Sequence, residues 1–245
     1  GEPDPTQNYA SGKQYDNTRD ITQNYGLSAN WAPTVKTVIQ ARGYFSRYDE
    51  YSQTSFANGQ TFPDDNLFQR FGRVDASILQ IWGERQIMQA GGEWSTDRYR
   101  GINRLSGTGG QRADTSTFWG QDKISLANWI TVTVGARYDK HSVFGSAVSP
   151  KIGLSIRATD RLAVRASWGR GFRAPDLGQL YYKFYNPTNF YQVFGNPNLR
   201  PEHSGSWQIG AEYASTKKNY RFGLNLFRND VVNMIDPLTV GFVLP

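Results

Sequence analysis

The sequence predicts an all-β chain: an antiparallel transmembrane β-barrel, with about ten strands of a larger barrel present. Three observations carry this expectation. Composition is the first: Tyr (14), Phe (14) and Trp (7) supply much of the apolar surface of a chain that is 38% hydrophobic, holds 25 glycines and has a mean hydropathy of −0.60. A soluble core draws mainly on Leu, Ile and Val, whereas a barrel strand needs apolar residues only at alternate positions and sets aromatics at the two membrane interfaces. The second is period-two alternation in segment after segment. The third is the lopsided spacing of the connections, with short turns near residues 32, 83, 128, 159 and 217 separated by long polar loops. Outer-membrane barrels have this asymmetry. No run reaches the ~18 apolar residues of a membrane helix, which is no argument against a barrel.

Residues 1–17 are polar and turn-rich, the tail of a loop. In 18–30 the apolar positions Tyr25, Leu27 and Ala29 alternate with Asn24, Gly26 and Ser28, and Trp31-Ala32-Pro33 is the expected turn into 34–50. After a Ser/Asn/Gly/Asp-rich loop comes 68–81, where Val74, Ala76 and Ile78 oppose Arg73, Asp75 and Ser77. Trp82-Gly83-Glu84 turns the chain into 85–99, with Met88, Ala90 and Trp94 opposite Gln89, Gly91 and Glu93. Residues 100–114 form the second long loop. A strand over 115–126 then turns at Ala127-Asn128-Trp129. The cleanest alternation is 130–139, with Ile130, Val132, Val134, Ala136 and Tyr138 on one face. A loop of modest length ends at Ser149-Pro150, and strands follow at 151–157 and 162–172. Pro175, Pro187, Pro197 and Pro201 forbid regular pairing until alternation resumes at 205–214. The last strand is 220–232, after a turn at Lys217-Lys218-Asn219.

Trp31, Trp82, Trp129 and Tyr220 each fall at a short turn, and would form one aromatic ring at the inner membrane interface. Arg73, Asp75, Glu93, Arg137, Asp139, Lys151, Arg157, Arg165 and Glu212 all fall on the polar face. In lipid an Arg or Lys at mid-depth costs ~2–4 kcal/mol, so these residues are expected to face a lumen holding water or an inserted domain. The same alternation would suit the solvated face of a soluble β-sandwich, which would place tryptophans at its corners. An open sheet in hydrocarbon is not viable, so ten strands either close on themselves or are part of a larger barrel.

Net charge is +6, but the basic residues are scattered singly along the chain, without the concentrated patch that nucleic acid requires. With no cysteine there are no disulfides or thiolate metal sites. No catalytic residue is assigned: His141 and His203 lie in separate predicted loops, outside any Gly-x-Ser-x-Gly or His-Glu-x-x-His context. Asp64-Asp65-Asn66 lacks the glycine and distal glutamate of an EF-hand and reads as a solvated loop tip. No metal or cofactor is expected. The aromatic loop is more informative. Tyr181, Tyr182, Phe184, Tyr185, Phe190, Tyr191 and Phe194, beside Arg173, Lys183 and Arg200, could grip an anionic, partly aromatic small molecule. Self-packing of the loop, or contact with lipopolysaccharide, would use the same residues.

Several of these segments also resemble a known family, in order along the chain. They are Gln121-Asp122, Gly135-Ala136-Arg137-Tyr138-Asp139, the run from Phe144 through Ser149-Pro150-Lys151 to Leu154, Gly169-Arg170-Gly171-Phe172-Arg173-Ala174-Pro175 with Leu180-Tyr181, and Gly195-Asn196-Pro197-Asn198-Leu199-Arg200-Pro201-Glu202 with Ser204. Together they resemble the barrel domain of TonB-dependent outer-membrane receptors. The resemblance implies a barrel of about 22 strands closed by an N-terminal plug, in the outer membrane of a Gram-negative bacterium. It implies energy-coupled import of a scarce ligand, a ferric siderophore or a cobalamin-like molecule, through a TonB complex that engages the plug region. On that basis residues 1–245 are a partial barrel domain, with the plug and the closing strands outside this sequence. The alternatives are a passive outer-membrane pore or surface-binding barrel without energy coupling, and a soluble carbohydrate-binding β-domain.

Overall fold

The computed structural model describes residues 14–57, 59–61, 66–101, 104–106, 110–186, 191–215 and 220–239. Alternation along each strand builds a ten-stranded antiparallel sheet. In chain order its first eight strands are β1 (Gln14–Thr34), β2 (Thr37–Phe56), β3 (Leu67–Trp82), β4 (Gln86–Gly101), β5 (Gly110–Ala127), β6 (Ile130–His141), β7 (Gly145–Arg157) and β8 (Leu162–Arg173). A short helix α1 (Leu177–Tyr181) and a small hairpin of β9 (Lys183–Asn186) and β10 (Tyr191–Phe194) follow, before β11 (Glu202–Ala214) and β12 (Arg221–Val232) complete the sheet. Each strand of the sheet pairs with its neighbours in chain order, and β11 lies directly beside β8.

Register decides what each face carries. On one face, rows of direct cross-strand partners are apolar: Trp31–Ile39–Ile78–Ala90, Leu27–Gly43–Val74–Trp94, and Ile152–Trp168–Trp207. Large side chains on this face stay exposed, Leu27 at 79% and, on other strands of the same face, Phe118 at 64% and Leu224 at 66%. Water would not tolerate such a surface on a monomer, and lipid would. The other face is polar. Among the described residues, few are buried in a conventional core: Leu105, Leu177 and Leu180 pack where loops meet, and Leu67 closes the end of β3.

Several strands are longer than their hydrophobic pattern suggests: β1 and β2 run 21 and 20 residues. Their outer ends are polar, held by bonds such as Thr54 to Asp16 (2.8 Å), and a polar–polar ladder leaves no hydrophobic period to read. The turn expected at Trp31-Ala32-Pro33 lies instead at Val35-Lys36. The β1–β2 register shifts between Trp31 and Thr34, so Pro33 sits in an irregularity on an end strand of this sheet, where its missing N–H costs no central ladder bond. The loop expected up to Pro150 is also a correction. Only Ser142-Val143-Phe144 separate β6 from β7, with Gly145 at φ 74° closing the turn. Pro150 lies within β7, opposite Ala136 of β6, and the β7–β8 ladder extends only from Lys151↔Gly169 to Arg157↔Ala163. Proline therefore stands where that ladder stops. The regular-structure-free loop expected after Pro175 holds α1 and the β9–β10 hairpin, and β11 resumes at Glu202 rather than Gly205.

Candidate functional site

The loop between β8 and β11 folds back over the polar face. Pro175 ends the strand, and Asp176 caps α1 by accepting the Gln179 N–H (2.7 Å) while the Gln179 side chain accepts the Asp176 N–H (3.1 Å), a reciprocal capping box. Leu177 and Leu180 then bury against the sheet. The chain continues antiparallel to the β4–β5 loop, with the Ser106 N–H donating to the Tyr181 carbonyl (2.8 Å) and the Lys183 N–H to the Arg104 carbonyl (2.8 Å).

Arg104 is the pin of this junction. It is 6% exposed, donates to the Tyr182 hydroxyl (2.9 Å) and to Glu50 Oε1 (2.7 Å), and lies 4.3 Å from the centroid of the Phe184 ring. Three separate parts of the chain, β2, the β4–β5 loop and β9, meet on one guanidinium. Phe184 also meets Tyr182 at 6.3 Å and Tyr191 edge-on at 5.9 Å. The hairpin keeps exposed side chains on both faces: Tyr191 and Val193, on the face of Phe184, are 45% and 43% exposed, and Phe194, on the other, 61%.

Beneath α1 lies a cavity of about 260 Å³, lined by residues of β3 to β6 and β8 and by α1 itself, among them Asp97, Arg137, Asp139, His141, Asp176 and Leu177. In one corner the buried Thr117 donates to Asp139 Oδ1 (2.6 Å), and Arg137 grips the same carboxylate through Nε (2.9 Å). Counting eleven residues from the inner ends of β4 and β6 (97 − 86 and 141 − 130) at ~3.3 Å each and ~40° tilt gives a height of roughly 28 Å, clear of a ~25 Å apolar band. In that setting burial, helped by the nearby Asp176, pushes the Asp97 carboxyl above its ordinary range, and burial lifts the Tyr99 hydroxyl to about 12. Burial draws His141 below its ordinary value. Its Nδ1 accepts the Val143 and Phe144 N–H groups (3.2 and 3.4 Å), a role only an unprotonated nitrogen can fill.

The residues read from sequence as a ligand grip divide as follows. Tyr182 and Phe184 are engaged with Arg104. Tyr181 contributes a backbone carbonyl to Ser106, and Lys183 a backbone N–H. Tyr191, Phe194 and Arg200 are exposed. Arg173 pairs with Glu202 (3.1 Å), whose other oxygen accepts the Ile235 N–H (2.7 Å). Those two partners, the Ile235 N–H first, hold Glu202 below the usual carboxylate range. Tyr185 is placed through its backbone alone, and Phe190 lies outside the described residues, as do Asp64 and Asp65. Arg104 and Glu50 were not singled out from sequence, because a lone arginine in a polar loop and one glutamate in a blurred strand carry no periodic signal.

The charged positions of the polar face do share one side of the sheet by register. Asp75 takes Arg42 (2.9 Å) and Arg73 (3.9 Å), Lys151 donates to Gln121 (2.6 Å), and Arg165 meets Glu212 (2.8 Å). Glu93 stands opposite Asp75, and Arg157 opposite Ala163. Trp31, Trp82 and Trp129 are 63%, 55% and 56% exposed at one end of the sheet, where Tyr220 packs on Phe222 at 5.2 Å.

Comparison with known proteins agrees with this architecture. The family model described as TonB dependent receptor-like, beta-barrel, matches residues 1–244. The ferric enterobactin receptor of Pseudomonas aeruginosa is 27% identical over 63% of this chain and 24% of its own length. The ferrienterobactin receptor of Escherichia coli is 24% identical over 93% of this chain and 36% of its own. A vitamin B12 transporter of Vibrio vulnificus is 34% identical over 46% and 17%. The chain thus spans about a third or less of the curated relatives it matches. Among solved structures, the siderophore receptor PirA of P. aeruginosa superposes with a TM-score of 0.64 at 22% identity, covering 86% of this chain and 46% of that one. The Serratia marcescens hemophore receptor superposes at 0.69 and 15%, covering 88% and 40%. The lipid-tolerant face, the polar face opposite it and the match over nearly the whole sequence lead to one conclusion: this chain belongs to the β-barrel family of TonB-dependent receptors, non-catalytic proteins of the Gram-negative outer membrane.

Proposed function

We propose that the chain forms part of the wall and mouth of an energy-coupled importer, which captures a scarce metal chelate, a ferric siderophore or a cobalamin-like molecule, at the outer surface. The observation that carries this reading is the folded-over loop. Tyr182 and Phe184 are spent on Arg104, while Tyr191, Val193 and Phe194 stay exposed to whatever enters, with Arg200 nearby in the chain. Ring faces beside guanidinium groups suit an anionic, partly aromatic ligand. Several relatives are named as ferric enterobactin receptors and one as a vitamin B12 transporter, which supports the same ligand classes.

In this reading the polar face, with Arg73, Asp75, Glu93, Arg137, Asp139, Lys151, Arg157, Arg165 and Glu212, meets a plug supplied by another part of the full receptor, and that part engages the TonB complex. Trp31, Trp82, Trp129 and Tyr220 lie at the inner interface. The test is uptake of radiolabelled ferric siderophore and of cobalamin by cells that depend on the full receptor, with and without residues 181–194. Loss of uptake for one ligand class, with the barrel still assembled, identifies that class. Unchanged uptake of both would sink the loop's role.

A further inference from the structure

The arginines that look scattered in the sequence are gathered by strand register. Arg47, Arg70, Arg98 and Arg112 are direct cross-strand partners on four adjacent strands, β2 to β5. They share the outward, apolar-bearing face: Arg70 is in phase with Val74 and Trp82 on β3, Arg98 with Trp94 on β4, and Arg112 with Phe118 on β5. With strands ~4.8 Å apart the row is roughly 14 Å long. Arg100, the partner of Phe68, adds to it one step further out on the same face, and Arg19, the partner of Tyr51, two steps. Among the described residues, two carboxylates pair with the row. Asp49 is enclosed by Arg47 and Arg70, and Asp114 pairs with Arg112 (2.8 Å). Six guanidiniums therefore face two carboxylates.

Like charges directly opposite one another destabilise a sheet, so such a row needs anions to offset it. Its height says which. Arg70 is twelve residues above Trp82 on the same strand (82 − 70), roughly 30 Å at ~3.3 Å per residue and ~40° tilt, just beyond a ~25 Å apolar band. That is the level of the outer-leaflet headgroups. The rings flanking the row fit an interfacial position too, Tyr25 against Phe45 below it (6.4 Å) and Tyr51 against Phe68 above it (5.5 Å).

We infer that this row is a binding site for the phosphate groups of a bis-phosphorylated outer-leaflet glycolipid, the lipid A portion of lipopolysaccharide, whose acyl chains would lie along the apolar face below. Arginine suits this task, since its planar fork meets phosphate oxygens two at a time. The inference rests on the outer-membrane placement and is independent of the imported ligand.

The experiment uses the full receptor, purified in detergent, stripped of lipid, and titrated with bis-phosphorylated or enzymatically dephosphorylated lipid A in mixed micelles. Removing one charged hydrogen-bond partner is expected to weaken binding about tenfold. The variant Arg70→Gln/Arg98→Gln should therefore bind the phosphorylated lipid on the order of a hundredfold more weakly, Arg165→Gln on the polar face should not, and dephosphorylated lipid should bind wild type as poorly as phosphorylated lipid binds the double variant. Equal affinity of wild type for the two lipids overturns the inference, as does an unaffected double variant whose heat-modifiable gel mobility shows a closed barrel. If the double variant fails to close, Arg112→Gln and the two-lipid comparison on wild type decide the matter by the same criteria. The titration contains no transport ligand, so a negative result leaves the import reading standing, and lost uptake with intact lipid binding does the reverse.

Discussion

Replacing Arg104 with alanine should release the aromatic hairpin from the barrel wall without melting the wall. The guanidinium is 6% exposed and holds Tyr182 at 2.9 Å, Glu50 at 2.7 Å and the Phe184 ring at 4.3 Å. A hydrogen bond to a charged group contributes ~1.5–3 kcal/mol, a desolvated cation–π contact ~1–2 kcal/mol, and removing one member of a buried pair costs ~3–5 kcal/mol because the other charge is stranded. These contributions overlap, and Glu50 regains water once the loop lifts, so the net loss is about 3 kcal/mol. At ~1.4 kcal/mol per decade the undocked population rises on the order of a hundredfold. Hydrogen exchange on the full receptor reads this directly. The amides of Ser106 and Lys183, which bond across the junction to Tyr181 and Arg104, should lose about two decades of protection. Amides deep in β5 and β6 should keep theirs, since opening is local. Arg104→Lys should recover part of the loss, retaining charge but not the planar fork. Unchanged protection at those two amides would refute the assignment of Arg104 as the pin, and equal loss throughout the sheet would refute the separation of loop from wall.

Gly91→Ala should destabilise the closed barrel by ~1–3 kcal/mol, because a Cβ there would meet the Ala76 carbonyl and the Trp119 ring, each at 2.8 Å; Gly26→Ala, with nothing within 4 Å, should be near neutral, and gel-shift melting distinguishes the two. Val134→Arg, on the apolar face, should cost ~2–4 kcal/mol, whereas Thr133→Arg on the polar face should cost far less; folding yield into bilayers measures both. The Glu202 tie should persist on mild acidification. Its folded pKa lies below the unfolded value of about 4.3, so its contribution is complete above that value and is lost as pH falls through the folded one. Exchange at the Ile235 amide should hold at pH 5 and rise only in stronger acid. His141 has a dependence of the same sign in a higher pH window. Its lowered pKa means stability falls as pH drops from the unfolded value of about 6.5 toward the folded one, so the Ser142–Phe144 turn should loosen near pH 5, read from the Phe144 amide.

What the sequence reveals here follows from physics that acts locally. Alternation at Ile130, Val132 and Val134 places a strand and its two faces because a pleat sends successive side chains to opposite sides, and the tryptophans near short turns mark one rim. Polar ladders are silent, so β1 and β2 outrun their apparent ends. Proline misleads at two places: Pro33 looks like a turn and lies beside an irregularity, while Pro150 looks like a strand start and marks the end of a ladder on one side only. The junction at Arg104 joins Glu50 to Tyr182, which are far apart in the chain, and nothing local announces it. The arginine row is hidden in the same way, since one residue per strand makes no cluster until register aligns them.

The seam at Pro150 gives the wall an uneven load path. Above Lys151↔Gly169, β7 is fastened only to β6, whereas β8 stays zipped to β11 up to Arg173↔Glu202. A pull on the loop that β8 and β11 carry is therefore borne by those two strands and, through the Glu202 tie to Ile235, by the end of β12. Across the unlaced upper edge of β7, little of that force has a hydrogen-bonded route to follow. The rim is stiff on one side of the loop and compliant on the other.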